Sequence, residues 1–281
     1  MFRIMRPIIF VRFLVVGICF ANCSGSLVYE TPSGGHETSS QEAILSNLSF
    51  HVNEYLERID YSLTEASNSL GNSNLSDSVA DSSLKDLYES VPFVIDTITI
   101  SSEGKILATY PKDLTYLIGE NIGEREYVKN LLSFKKAVMS PVFIMIEGFP
   151  AVDIVHPVYS HNGEFMGGIS LLMDEKEFFT DLITALDPDS IFEIFVMEND
   201  GHIVYDSNIS QIGENTFKSP LFQDYPDILE LGQKMGNTTQ GEGEYEYYNS
   251  YGLLVRKKAL WDTVSLYGTD WNIVVSEEIN R

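Results

Sequence analysis

A carboxylate in the middle of an apolar run is the most telling chemical group in this sequence. Asp153 lies in "AVDIVHPV", and a charged group buried in such a strand needs either a partner or a solvated pocket. On a two-residue period it shares a face with Val155 and Pro157, opposite His156, so that face is either a pocket wall or the open side of a sheet. Arg125 is the second group of interest. A guanidinium can grip a carboxylate at two points, although Glu124 and Glu126 on either side offer ordinary surface pairing. The constellations that an enzyme needs are not apparent. His36, His51, His156, His161 and His202 form no i,i+4 pair and have no cysteine nearby, so a zinc site is not expected. There is no Gly-x-Ser-x-Gly, phosphate loop or dinucleotide fingerprint. "ENDGH" and "DPDS" lack the spaced ligands of a calcium loop and read as a turn and a helix stop. We therefore expect no catalysis, no metal and no cofactor.

The balance of charge limits the partners. With 18 basic and 41 acidic side chains the formal charge is -23, which repels nucleic acid and anionic bilayers. At the N-terminus, Arg3, Arg6 and Arg12 precede the apolar stretch from Phe13 to Ala21, the layout of an export signal over residues 1–23. If Arg12 snorkels, Pro7 to Ala21 could instead remain as an anchor. Both cysteines, Cys19 and Cys23, fall here, so no disulfide framework is expected beyond it. Cys23 is either a lipid-acceptor residue or an incidental part of a discarded signal. Sequons at Asn22, Asn47, Asn74, Asn208 and Asn237 would suit an exported protein.

Residues 24–41 are rich in Gly, Ser, Thr and Pro and read as a tether. In 42–70, Leu45, Leu48, Val52, Tyr55, Ile59 and Ala66 recur at helical spacing, predicting one long helix that lies along a body or leads away from a membrane. A short helix is expected from Leu84 to Val91, closing a region that runs from 42 to 92. The period then changes. Runs from Phe93 to Ile100 and from Lys105 to Tyr110 flank a Gly-centred turn, "EREYVKNLLSFKKA" is helical, and "VMSPVFIMI", "PAVDIVHPVYS" and "FMGGISLLMD" are strands, the first two joined at Glu147-Gly148. A connector helix from Asp174 to Leu186 leads into a second series: strand, Asn-Asp-Gly turn, strand, a helical stretch interrupted by Pro226, and three closing strands. The expected class is α+β, with a long N-terminal helix before two antiparallel-sheet units, 93–174 and 175–281, each with helices on one face.

"IGEN" occurs in both units, at 118–121 and 212–215, each time after a turn and a strand. Gly119 and Gly213 would supply a backbone conformation closed to other residues, and Asn121 and Asn215 would bond the loop's own main chain. The motif thus reads as architecture rather than a ligand site.

"DTITISSEGKILATYP", "LIGEN", the helix opening Arg125-Glu126-Tyr127, "VDIVHPVYSHNGEFMGGISLLMD" and the closing "WNIVVSEE" resemble the double Cache module, the PAS-like extracytoplasmic domain pair of chemoreceptors and sensor kinases. The resemblance covers about residue 42 onwards and implies a small-molecule site in the membrane-distal unit. By that resemblance, Arg125 and Tyr127 would hold a carboxylate, with Tyr110, Ser140 and Asp153 lining the site and Phe143 and Met145 as its floor. Relatives carry Asp on the closing strand for the amine; here Leu172 takes that position, with Asp174 two residues on as a substitute. An amino acid, a plain carboxylate and a mostly apolar ligand all remain open. The expected role is capture of a small metabolite on the outer side of the membrane, with the chain held by its N-terminal anchor or lipid. Relatives feed a transmembrane helix and an output domain; the chain ends at Arg281 soon after the last strand, so delivery through a partner receptor or transporter is expected. Two other readings stand beside it. A structural or adhesive surface protein would have its distal unit filled by large side chains, and an envelope hydrolase would show a paired nucleophile and base.

Overall fold

The computed structural model describes residues 39–145, 149–249 and 251–279. The expected export segment, Cys23, the Glu147-Gly148 junction and most of the tether lie outside them. Helix α1 (Ser40–Leu70) begins with a capping box in which the Ser39 side chain accepts from the Glu42 N–H and Glu42 accepts from that of Ser39. The tether expected to run to residue 41 therefore ends earlier. Gln41 is already helical and buried, its Nε2 donating to the carbonyls of Lys258 at 2.9 Å and Val275 at 3.0 Å. The apolar stripe of α1 lies along the body rather than leading away from it. Helix α2 (Ser78–Ser90) starts a turn and a half before the expected Leu84, because Asp77 caps it by accepting from the N–H groups of Val79 and Ala80.

The first sheet contains β1 (Val94–Ser101), β2 (Ile106–Tyr110), β3 (Val138–Met139), β4 (Phe143–Ile144), β5 (Pro150–Tyr159) and β6 (Phe165–Met173), in the order β2-β1-β6-β5-β3 with β4 also on β5. The second contains β7 (Glu193–Glu198), β8 (Ile203–Asp206), β9 (Gln240–Tyr248), β10 (Leu254–Leu266) and β11 (Thr269–Glu278), ordered β8-β7-β11-β10-β9. The two orders correspond strand for strand. "VMSPVFIMI" is not one strand: it breaks into β3 and β4 around Pro141, which lacks the N–H a ladder requires. Pro226 does not interrupt a helix but opens α5 (Pro226–Met235), where its missing N–H costs nothing.

Helices cover both faces of each sheet, not the single face expected. On one side, α1, α2 and the connector α4 (Glu175–Leu186) share a core with Ile154, Leu171, Val196 and Ile273 from the two sheets. On the other side, α3 (Glu126–Phe134) closes a small core over the first sheet with Ile98, Ile100 and Val155. Helix α5 does the same over the second sheet with Met197, Ala259 and Trp261. One face of each sheet is thus fixed against the long helix, leaving the other to be roofed by a short element.

The repeated "IGEN" builds the same loop twice. Gly119 and Gly213 have φ of +93° and +83°, and their N–H groups donate to the carbonyls of Ile106 and Ile203, each at 2.9 Å. Asn121 Nδ2 donates to the Glu103 carbonyl and its Oδ1 accepts from the Gly123 N–H at 2.8 Å. Asn215 repeats this with the Asp200 carbonyl at 3.0 Å and the Phe217 N–H at 3.1 Å. Asn215→Ala is expected to destabilise the protein by about 1–2 kcal/mol in urea unfolding, since two local bonds are lost at a buried residue. An unchanged midpoint would refute the structural role.

The two sheets are linked by specific polar contacts. Thr269 Oγ1 donates to the Met139 carbonyl at 2.7 Å, and the Val142 N–H donates to Glu198 Oε1 at 2.8 Å. Asp60 of α1, His156 of β5 and Tyr267 of the β10–β11 turn meet through their side chains, His156 Nε2 lying 3.0 Å from Asp60 Oδ1. At the β7–β8 turn, Glu198, Asp200 and His202 bring ligand-type atoms within 4.8 Å of one another. That grouping serves the turn: Asp200 accepts from the His202 N–H at 3.1 Å and lies 2.8 Å from its ring nitrogen.

Candidate ligand-binding site

Strand register decides which groups reach the roofed face of the first sheet. Leu172 on β6 pairs with Asp96 of β1 on one side and Asp153 of β5 on the other. Directly paired residues point to the same face, so two carboxylates flank Leu172. All three line a cleft of about 1070 Å³ between the sheet, the 3-10 turn at Lys112–Leu117 and the start of α3. Asp153 is 3% exposed; Ser170 Oγ donates to its Oδ1 at 2.5 Å, while its N–H donates to Ser140 Oγ at 2.9 Å. Burial pushes its carboxyl up to about 6, with Ser170, Tyr127 and Arg125 acting in the opposite direction.

Arg125 precedes the first turn of α3 and Tyr127 lies within it, which brings both side chains to the cleft, Arg125 exposed at its edge and Tyr127 buried. Arg125 Nη1 donates to the Tyr127 hydroxyl at 3.3 Å, and Glu124 pairs with Lys129 at 2.8 Å instead of with Arg125. The surface pairing with Glu124 that the sequence left open is thus taken by another partner. The guanidinium is in electrostatic reach of both Asp153 and Asp96. Tyr127 stacks on Phe143 with ring centroids 6.0 Å apart, and burial together with the Asp153 charge raises its phenol above the usual range. Among the described residues, the cleft has one cation, Arg125, with Asp96 and Asp153 on the sheet, Glu120, Glu124 and Glu126 along its edge, and apolar walls from Ile98, Val142 and Phe143. Such an arrangement can hold a small molecule carrying opposite charges at its two ends.

Of the residues singled out in the sequence, Arg125, Tyr127, Ser140, Phe143, Met145 and Asp153 line this cleft. Tyr110 does not. The β1–β2 register shifts between Thr99 and Ile100, placing Tyr110 opposite Thr97 on the face turned to α2, where its ring meets Tyr88 edge-on at 5.1 Å. Asp174 is also elsewhere. The strand ends at Met173, and Asp174 caps α4 by accepting from the Glu177 N–H at 2.9 Å. Asp96 was missed, although it had the same signal as Asp153: an acidic residue in the apolar run "FVIDTITI".

A sensor module of two PAS-like sheets on a long helix is the class that this fold and cleft define. Residues 54–175 match the family described as HK/GC/chemotaxis protein-like, sensor domain. Two antiparallel sheets on a long helix are the fold of the double Cache sensor domains, which this chain resembles. An extracellular ligand-binding receptor from Desulfohalobium retbaense is 27% identical, with a TM-score of 0.71 over 83% of this chain and 39% of that one. This sequence therefore spans about two fifths of that receptor. The periplasmic sensory domain of the Campylobacter jejuni chemoreceptor Tlp1 superposes with a TM-score of 0.61 at 15% identity, over 84% of this chain and 92% of that one. The ligand-binding domain of the Pseudomonas aeruginosa amino-acid chemoreceptor PctC in complex with GABA gives 0.61 at 16% identity, over 83% and 96% of the two chains. At those identities the last two speak for the fold alone. No curated protein sequence matches this chain significantly. Among the described residues, no helix is long and apolar enough to cross a membrane.

Proposed function

We propose that this chain senses a small amino acid or amino-acid-like zwitterion on the outer side of the membrane, and binds it in the cleft of the first sheet without catalysing its conversion. The supporting observation is the placement of Asp96 and Asp153 on either side of Leu172, in one cleft with Arg125 and Tyr127. The ligand carboxylate lies on Arg125 and the Tyr127 hydroxyl, and its ammonium lies on Asp153 and Asp96. Leu172 removes the acid that relatives carry on this strand, and the carboxylates on the two neighbouring strands take over its role. Other receptors of this fold are described in complex with GABA, with L-Gln and with asparagine, which supports the ligand class. The open volume favours a binding role over a purely structural or adhesive one. Occupancy would reach a partner protein through the segment after β3, whose Val142 N–H rests on Glu198 of the second sheet.

The test is calorimetric titration of the protein with the standard amino acids and GABA, backed by thermal shift. A ligand that binds only the folded state raises stability by RT ln(1+[L]/Kd). At least one of these compounds is expected to bind with one-to-one stoichiometry and to stabilise the fold. Neither heat nor stabilisation across the whole set would overturn the reading.

A further inference from the structure

The second sheet has a cavity of its own, about 490 Å³, between its outer face and α5. It corresponds in position to the cleft of the first unit. Counting back from the turn glycines Gly104 and Gly201, Glu193 on β7 is the counterpart of Asp96 on β1, and each lines the cavity of its unit. The charges are arranged differently. Lys257 of β10 is 1% exposed, bonds Glu193, and holds its ammonium 5.7 Å from the centroid of the Tyr247 ring. Asp206, at the end of β8, faces the same pair, so one positive charge meets two carboxylates. Burial pushes the Asp206 carboxyl up to about 7; the Glu193 charge adds to this, while the Asn208 N–H and Lys257 oppose it. Counting forward from Asn121 and Asn215, the position of Arg125 is occupied by Ser219, which brings no positive charge for a ligand carboxylate.

We propose that this cavity is a second ligand site, for a small organic amine whose ammonium group lies between Asp206 and Glu193 and whose apolar body lies against Phe195, Tyr245 and Tyr247 under α5. An added cation balances the surplus carboxylate, and aromatic faces favour cations. A carboxylate on the ligand would meet Glu193 and Asp206 with only Lys257, already bonded to Glu193, to offset them, so the site selects amines over amino acids. The assignment is independent of the first cleft.

The probe is 2-phenylethylammonium, titrated into the full isotope-labelled chain by NMR and calorimetry, with uncharged 2-phenylethanol as its control. Saturable shifts are expected in the amides of β7, β9 and β10, and the alcohol is expected to bind at least about tenfold more weakly. Asp206→Asn, which keeps an acceptor for the Asn208 N–H, weakens amine binding about tenfold or more. Ile228→Trp, which fills the cavity from α5, abolishes it in a chain whose circular dichroism melt shows it folded. Any of the following overturns the proposal: no saturable amine binding, binding that survives Ile228→Trp or is indifferent to Asp206→Asn, or equal binding of the alcohol.

Discussion

Asp153→Asn is expected to make the empty protein more stable at neutral pH while weakening amino-acid binding by roughly 10–150-fold, the worth of a charged hydrogen bond. The two effects have one cause. Burial raises the Asp153 carboxyl from 3.8 to about 6, so the folded state holds this proton more tightly than the unfolded chain does. The resulting stabilisation is complete below about pH 4 and is lost as pH rises through about 6. At pH 7 the ionised group then costs on the order of 3 kcal/mol relative to its protonated form. Asparagine keeps an acceptor for Ser170 Oγ without the buried charge. Differential scanning calorimetry should show the variant melting above wild type at pH 7, with the gap closing towards pH 4. A variant that is less stable than wild type at pH 7 would contradict this account. The wild-type cleft should also lose ligand affinity as pH falls below about 6, because the ammonium then meets a neutral acid.

Arg125→Ala is expected to cost a similar factor in affinity with little change in stability. The guanidinium sits at the edge of the cleft, where, among the described residues, its side-chain hydrogen bond goes to Tyr127 at 3.3 Å. A charge-assisted bond to a ligand carboxylate is worth roughly 1.5–3 kcal/mol, and Arg125→Lys should recover only part of it because the two-point geometry is lost. Calorimetric titration of the three proteins with the best-binding amino acid decides the matter. Equal affinities in wild type and Arg125→Ala would place the carboxylate elsewhere.

Local signals in the sequence carried much of this architecture. The stripe from Leu45 to Ala66 gave α1 its buried face, and the repeated Gly-centred turn with "IGEN" predicted two sheets of matching order. Asp153 was legible because a carboxylate in an apolar strand is costly without a purpose. What escaped was set by pairing between distant strands. No local pattern reveals the bulge that turns Tyr110 towards α2, or the point at which β6 gives way to the cap at Asp174. Alignment of Asp96, Leu172 and Asp153 across three strands depends on residues far apart in the chain meeting in register. The sequence therefore offers an amine-side acid only further along one strand, at Asp174, whereas the proposed site takes its acids from the strands on either side. Asp96 and Glu193 stand at the same distance before their turn glycines, a signal that comparison of the two repeats would have supplied. Helices on both faces were missed for a related reason: β1 and β5 are buried on both sides, and their mixed patterns do not say which elements cover them.

The most direct test of a cleft built for opposite charges is a matched series: the best-binding amino acid, the same molecule without its amine, and the same molecule without its carboxylate. Titrated into wild type at pH 7.5 or so, the intact zwitterion is predicted to bind at least about tenfold more tightly than either truncated form, since each loses one charged anchor. A truncated compound that binds as well as its parent would show that Arg125 and the Asp96–Asp153 pair are not the two ends of the site.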